Sequence, residues 1–263
     1  MHNVAPFWGW EIAVYLFLGG LAAGLMIVSA IAKRESRAMR LLPFAAPLAL
    51  SIGMGALFLD LDFKLHVFRF YTAFRVTSPM SWGAWILLLI YPATVLYGLR
   101  PTETLRRVNL VLGIALGAYT GILLATLTAR AAWGSLFLAP LFLVSGVSAG
   151  AALTMFLPLT EGERRSVRRW DLAAIGAEGV VLLFFFLDLI AAGGARGRAA
   201  ASLFFGGPYT AVFWSLVVIA GLALPAALEA IESRRRIHVV IAPALVLIGG
   251  LALRWILVAA GQI

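Results

Sequence analysis

Residues 11–32 read EIAVYLFLGGLAAGLMIVSAIA, a run of apolar and small residues whose one charged side chain, Glu11, stands at its start. As a helix this run is about 33 Å long, enough to cross the hydrocarbon of a bilayer. It stops at Lys33-Arg34. The same pattern recurs along the chain, and we place apolar spans at 11–32, 44–61, 80–99, 108–129, 136–158, 172–194, 209–231 and 238–260. Ser78-Pro79, Thr102-Glu103 and Gly207-Pro208 supply helix-start signals before three of them. The predicted fold class is all-α: a polytopic membrane protein with eight transmembrane helices.

Composition points the same way. Of 263 residues, 62% are hydrophobic and 13% charged, and the mean hydropathy is +0.98. A soluble domain carries roughly twice that charged fraction, so the surplus apolar surface faces lipid. The formal net charge is +9, but the basic residues sit in short clusters between apolar runs, which argues against nucleic acid as a partner. There is no cysteine, which excludes disulfides, thiolate-held iron–sulfur clusters and structural cysteine–zinc sites. The three histidines, His2, His66 and His238, lie at or beyond the ends of apolar runs and are poorly placed as haem ligands. No metal site and no haem are expected, so electrons handled here would have to come from another protein. The start of the chain lacks a basic n-region, and no cleaved signal peptide is read.

Eight spans bring both termini to one side. Loops on the opposite side carry fourteen Lys and Arg residues, the terminal side seven. The excess predicts that the termini face outward and the basic loops face the cytoplasm. Seven of the eight tryptophans (Trp8, Trp10, Trp82, Trp85, Trp133, Trp214 and Trp255) fall in the outer half. A belt anchors both interfaces, so this asymmetry suggests a docking or ring-binding surface there as well.

The halves echo each other: Trp8 and Leu16-Phe17-Leu18 against Trp133 and Leu141-Phe142-Leu143. Four spans separate the copies, which predicts two consecutive four-helix bundles, 1–130 and 131–263, in parallel topology. Gly20-x-x-x-Gly24, Gly146-x-x-x-Gly150 and Gly113-x-x-x-Gly117-x-x-x-Gly121 predict close helix crossings.

Ionisable groups inside a bilayer are candidates for function. Glu11 opens the first span, Asp60 and Asp62 close the second, and Arg130 closes the fourth. Asp188 and Arg254 share a depth and are expected either to pair or to serve a proton path. Glu178 and Glu229 lie towards the cytoplasmic side as further stations on such a path. Tyr119 lies on a glycine-lined span, where its phenol needs a hydrogen-bond partner. It makes either an interhelical bond or part of a quinone site, with tyrosine and carboxylate bonding the carbonyls and glycines admitting the ring.

Phe7-Trp8-x-Trp10, Tyr15 to Gly24, Asp60-Leu61, Ser78-Pro79-Met80-Ser81-Trp82-Gly83-Ala84-Trp85, Tyr119-x-Gly121, Arg130-x-x-Trp133 and Arg254 before Ala260-Gly261-Gln262 together resemble the NrfD/PsrC family. These are the membrane subunits of polysulfide-reductase-type complexes. The resemblance implies a cofactor-free anchor in the cytoplasmic (inner) membrane of a bacterium or archaeon. Such a subunit oxidises or reduces menaquinone or ubiquinone near the extracytoplasmic face. It exchanges electrons with a ferredoxin-like iron–sulfur subunit, and through it with a molybdopterin subunit. By position, Tyr119 and Asp60 match the reactive pair, with Tyr15, Glu11, Asp62, Gly20, Gly121 and Arg130 around the quinone. Two positions depart from the family pattern: Tyr15 stands where the polysulfide reductase subunit has a histidine, and Asp60-Leu61-Asp62-Phe63-Lys64 replaces Asp-Leu-Gly-x-Pro. A secondary transporter or proton pathway, supported by the repeat and the buried charges, is the rival reading. A purely structural anchor is the third.

Overall fold

The first apolar run becomes helix α1 (Trp10–Ile31), and the rest of the chain is built around its glycine face. A computed structural model of the protein describes residues 8–60, 79–126, 130–235 and 240–262. Within them, eight helices are long and apolar enough to cross a membrane, and no strand occurs among the described residues. After α1 come α2 (Arg37–Asp60), α3 (Pro79–Leu99), α4 (Glu103–Ala125), α5 (Leu138–Met155) and α6 (Glu161–Ala191). The seventh span, α7, is composite: one α turn (Thr210–Val212), a π-helix (Phe213–Ala223) and an α-helix (Leu224–Arg235). Helix α8 (Ile241–Ala260) completes the set, and a short helix, Gly194–Ser202, lies between α6 and α7.

Glycine sets the crossings. Gly24 of α1 lies on Gly146 and Gly150 of α5, and Gly146 lies on the Gly20 carbonyl, so a methyl group at any of these would overlap opposing backbone. Without a hydrophobic drive between helices in lipid, such backbone proximity and dispersion hold the pair together. Gly113 packs on Met26 and Ile27, Gly117 on Ala23 and Leu143, and Gly121 on Leu138 and Ala139. Helix α4 thereby closes on both α1 and α5. The result makes α1 the central helix: 83% of its most apolar window is buried, against 22% for α7.

Neighbour relations run α1–α2–α3–α4 and back to α1, then α5–α6–α7–α8 and back to α5, with α1, α4, α5 and α8 in contact across the middle. This pattern is compatible with the expected pair of four-helix bundles.

Several boundaries differ from the sequence expectation. Helix α6 begins eleven residues before position 172, at Glu161. Thr160 and Glu163 form a reciprocal capping box there, so the charged stretch Glu161–Asp171 is three turns of helix rather than loop. Helix α2 begins at Arg37 rather than 44, and carries Pro43 and Pro47 inside it. Pro140, which falls inside the span placed at 136–158, stands in the first turn of α5, where its missing N–H costs no bond. Thr102 caps α4 as its sequence indicated, accepting from the Leu105 N–H.

The two ends are stapled differently. At the end bearing the termini, Trp8 and Trp133 stack with ring centroids 5.1 Å apart. The Trp133 indole donates to the Leu257 carbonyl at 2.7 Å, and Gly261 lies against that indole. Gln262 accepts from Trp8 N–H at 2.8 Å and donates to Trp8 C=O at 2.9 Å. At the basic end, the Glu163 carboxylate accepts from the backbone N–H groups of Glu35 and Ser36, both at 2.7 Å, tying the α1–α2 turn to the start of α6.

Candidate functional site

Tyr119 is 7% exposed, and its ring and hydroxyl press on Gly83 of α3, where any side chain would occupy the same space. Three helices meet at this level. Tyr119 is six residues from the end of α4, Gly83 four from the start of α3 and Tyr15 five from the start of α1. All three therefore lie about 6–9 Å in from the terminal end of the bundle. Gly19 of α1 faces the methyl of Thr120, next to Tyr119, which sets α1 beside α4 at this depth. Tyr15 is buried, and Gly53 of α2 lies against its backbone.

The other candidates divide. Asp60 is the last residue of α2, at the same end as Tyr119; the Asp60 side chain and Asp62 lie outside what is described. Glu11 is in the first turn of α1, with its carboxylate folded back over Gly9, where it complements the helix N-terminus. Arg130 precedes the 3-10 turn Ala131–Trp133 and accepts through its carbonyl from the Trp133 N–H. Gly20 and Gly121 do not open towards a ring. Gly121 is covered by the Leu138–Ala139 backbone, and Gly20 makes room for the guanidinium of Arg254.

Arg254 corrects a second expectation. It does not pair with Asp188, which instead accepts from the Leu136 N–H at 3.2 Å. Fully buried, Arg254 donates to the carbonyls of Leu16 (3.3 Å), Phe142 (3.2 Å) and Gly250 (3.0 Å) and to the Ser145 hydroxyl (2.9 Å). The guanidinium thus holds α1, α5 and α8 together through neutral oxygens. Ser145 lines the same seam as the carboxyl of Glu178, which places that carboxyl near the guanidinium.

From Glu178 the polar chain continues towards the basic end. Asp171 lies seven residues earlier on α6, two turns away on the same face. It accepts from the Ser148 hydroxyl at 2.8 Å, and Glu229 of α7 is its neighbouring buried carboxyl. Asp171, Glu178, Glu229, Ser145, Ser148 and Arg254 are all buried. Ser145 and Glu178 lie in a narrow seam between α5, α6, α7 and α8, lined by Val217, Gly221, Leu222, Val246 and Gly249. The sequence points to Glu178, Glu229 and Arg254 but not to Asp171, because its apolar run begins only at position 172. The capping box at Thr160–Glu163 is the signal that extends the helix back far enough to include it.

Tyr119 thus rests on the Ser81-Trp82-Gly83 turn of α3, two stretches distant in sequence joined at one depth. The family model described as polysulphide reductase, NrfD, matches residues 1–105 and 99–263. The chain belongs to the NrfD family. It is 30% identical to the C subunit of the polysulfide reductase of Wolinella succinogenes, over 97% of this protein and 94% of that one. It is 28% identical to protein NrfD of Escherichia coli, over 100% and 97% of the two proteins, and 25% identical to the NrfD homolog of Haemophilus influenzae, over 100% and 96%. It is thus a multi-pass membrane protein of a family that supplies subunits to oxidoreductase complexes. The NrfD resemblance seen in the sequence gathers in two places here: the Gly83–Tyr119 contact, and the terminal cluster of Trp8, Trp133, Gly261 and Gln262.

Proposed function

We propose that this NrfD-family chain is the quinone-reactive membrane subunit of a respiratory oxidoreductase. The observation that carries the reading is Tyr119, a buried phenol held against a glycine near one end of the bundle. A phenol there is a donor in waiting, and a quinone carbonyl is an acceptor of the right depth and polarity. Asp60, closing α2 at the same end, is suited to relay protons to the surface. Reduction of the quinone takes two electrons and two protons, and oxidation of the quinol returns both.

The chain contains no cysteine, so the electrons are exchanged with a partner. An iron–sulfur subunit docked on the terminal end, joined to a molybdopterin subunit, satisfies that need. The excess of Lys and Arg at the opposite end supports an extracytoplasmic position for the docking face. In the second half, the line from Arg254 through Ser145, Glu178 and Asp171 to Glu229 supplies carboxyls in reach of the basic end and suits a proton route.

The test is Tyr119→Phe in membranes containing the assembled complex. Loss of one hydrogen bond to the headgroup costs about 1–3 kcal/mol, roughly tenfold to a hundredfold in quinone-linked electron transfer. Dye-linked activity of the catalytic subunit, which bypasses the membrane chain, should be unchanged. Full quinone-linked rates in a normally assembled variant would place the headgroup elsewhere.

A further inference from the structure

Helix α6 is longer than a bilayer requires. Counted back from its last residue, Ala191, about twenty residues cross the hydrocarbon, which puts the boundary near residue 171. The turns before it lie at headgroup level, and their charges are sorted. Glu163 and Asp171 are buried and turned inward, whereas Arg165 and Arg169 are exposed. We propose that this outward face binds one anionic phospholipid, its phosphate on Arg165 and Arg169 and an acyl chain in a recess beneath them.

The helix period puts the two parts of such a lipid in line. At about 100° per residue, Arg165, Arg169, Ala173, Gly176 and Val180 fall within an arc of about 80°. That arc is opposite the buried face formed by Val167, Asp171, Ala174, Glu178 and Leu182. Below the arginines the stripe is hollow. Ala173, Gly176, Ala177 and Gly179 are all exposed, and a methyl group added at Gly176 or Gly179 would meet no atom within 4 Å. The exposed side chains of Val180 and Leu183 end the recess farther along the helix. Trp170, the one tryptophan outside the outer half of the chain, is exposed at the boundary between the two parts. Its ring and indole N–H suit the level where acyl chain meets headgroup.

Other cations at this end are engaged within the protein. Arg106 and Arg107 pair with Glu103, Arg34 and Arg40 donate to carbonyls of the α1–α2 turn region, and Arg164 donates to the Met155 carbonyl. The capping box of Thr160 and Glu163 occupies the start of α6, so binding falls to the guanidinium groups rather than to the helix end. Guanidinium matches phosphate with paired, charge-assisted hydrogen bonds. A second copy of the chain would also fit a recess of small residues. Two copies side by side in one membrane, however, would set their Arg165–Arg169 pairs against each other. An anionic headgroup neutralises the same charges, which favours lipid as the occupant.

The test is native mass spectrometry of the full chain in mild detergent, titrated with phosphatidylglycerol or with phosphatidylcholine of the same acyl chains. One phosphatidylglycerol should bind ahead of any further copies and more tightly than phosphatidylcholine. Arg165→Ala combined with Arg169→Ala should weaken it roughly thirtyfold, the worth of two cations at a membrane surface. Lys33→Ala combined with Arg37→Ala removes the same charge from exposed positions at the same end, and should change the affinity less than about twofold. Gly176→Leu fills the recess, keeps every charge and should weaken binding by about threefold or more. Equal losses in the two double variants would reduce the site to diffuse attraction and overturn the proposal. So would unchanged binding in Gly176→Leu, no preference for phosphatidylglycerol, or a dimer of the chain that excludes the lipid. The measurement involves no quinone, so its outcome is independent of the Tyr119 reading.

Discussion

Trp8 and Trp133, 125 residues apart in sequence, stack on one another at the end of the molecule that carries the termini. Gln262 fastens this junction by bonding both backbone groups of Trp8. Replacing Gln262 with Ala removes two hydrogen bonds that join residues at opposite ends of the chain. A loss of about 1–3 kcal/mol is expected, read as a lower unfolding temperature of the detergent-solubilised protein. Trp133→Phe, which keeps a stacking ring but loses the bond to Leu257, should cost less.

Gly83 and Tyr119 give a second prediction. A methyl group at residue 83 would fall where the Tyr119 ring and hydroxyl lie, so Gly83→Ala must push the phenol aside. Quinone-linked turnover should fall at least as far as in Tyr119→Phe, with assembly preserved. Gly55, which has open space around it, is the control: Gly55→Ala should leave turnover unchanged.

Arg254 provides a third. Arg254→Met strips the Leu16 and Phe142 carbonyls and the Ser145 hydroxyl of a donor inside the protein. It also leaves Glu178 without the positive charge next in line. Breaking a buried charged arrangement in this way costs about 3–5 kcal/mol, so the yield of folded protein should drop sharply. Adding Glu178→Gln should recover part of the loss, a non-additivity measured by a double-mutant cycle on thermal stability.

At the basic end, Glu163→Ala leaves the N–H groups of Glu35, Ser36 and Thr160 without their acceptor. About 1–3 kcal/mol of stability should go with it. Glu163→Gln retains an acceptor oxygen and should lose less. Limited proteolysis in the turn between α1 and α2 is the sensitive readout.

The spans were legible because a bilayer demands about twenty apolar residues, and the glycine spacings were legible because backbone contact excludes every larger side chain. Azimuth was not. Asp188 and Arg254 share a depth, yet they point to different neighbours, since depth counts residues while direction depends on helix rotation. Charge misled at α6, where a run of Arg and Glu reads as solvent-facing loop yet folds as helix because Thr160 and Glu163 cap it. The π stretch left no trace in the sequence: an evenly apolar segment has the same pattern in either helix type. The sequence singled out Tyr119 as a candidate by its chemistry, but the glycine on which it rests came from a different span, and only the fold joined them.

Arg254 also constrains how the molecule is made. On a lone helix, an arginine well inside the hydrocarbon disfavours insertion by about 2.5–3.5 kcal/mol. Its acceptors on α1 and α5 are synthesised before α8 emerges from the ribosome. Helix α8 therefore enters the bilayer against a half-built receptor that already offers those carbonyls. A nascent chain whose α1 and α5 had failed to cross at their glycines would have nowhere to receive it, and the insertion machinery would meet a reluctant final segment. The same guanidinium that joins the two halves thus acts as a checkpoint on the first.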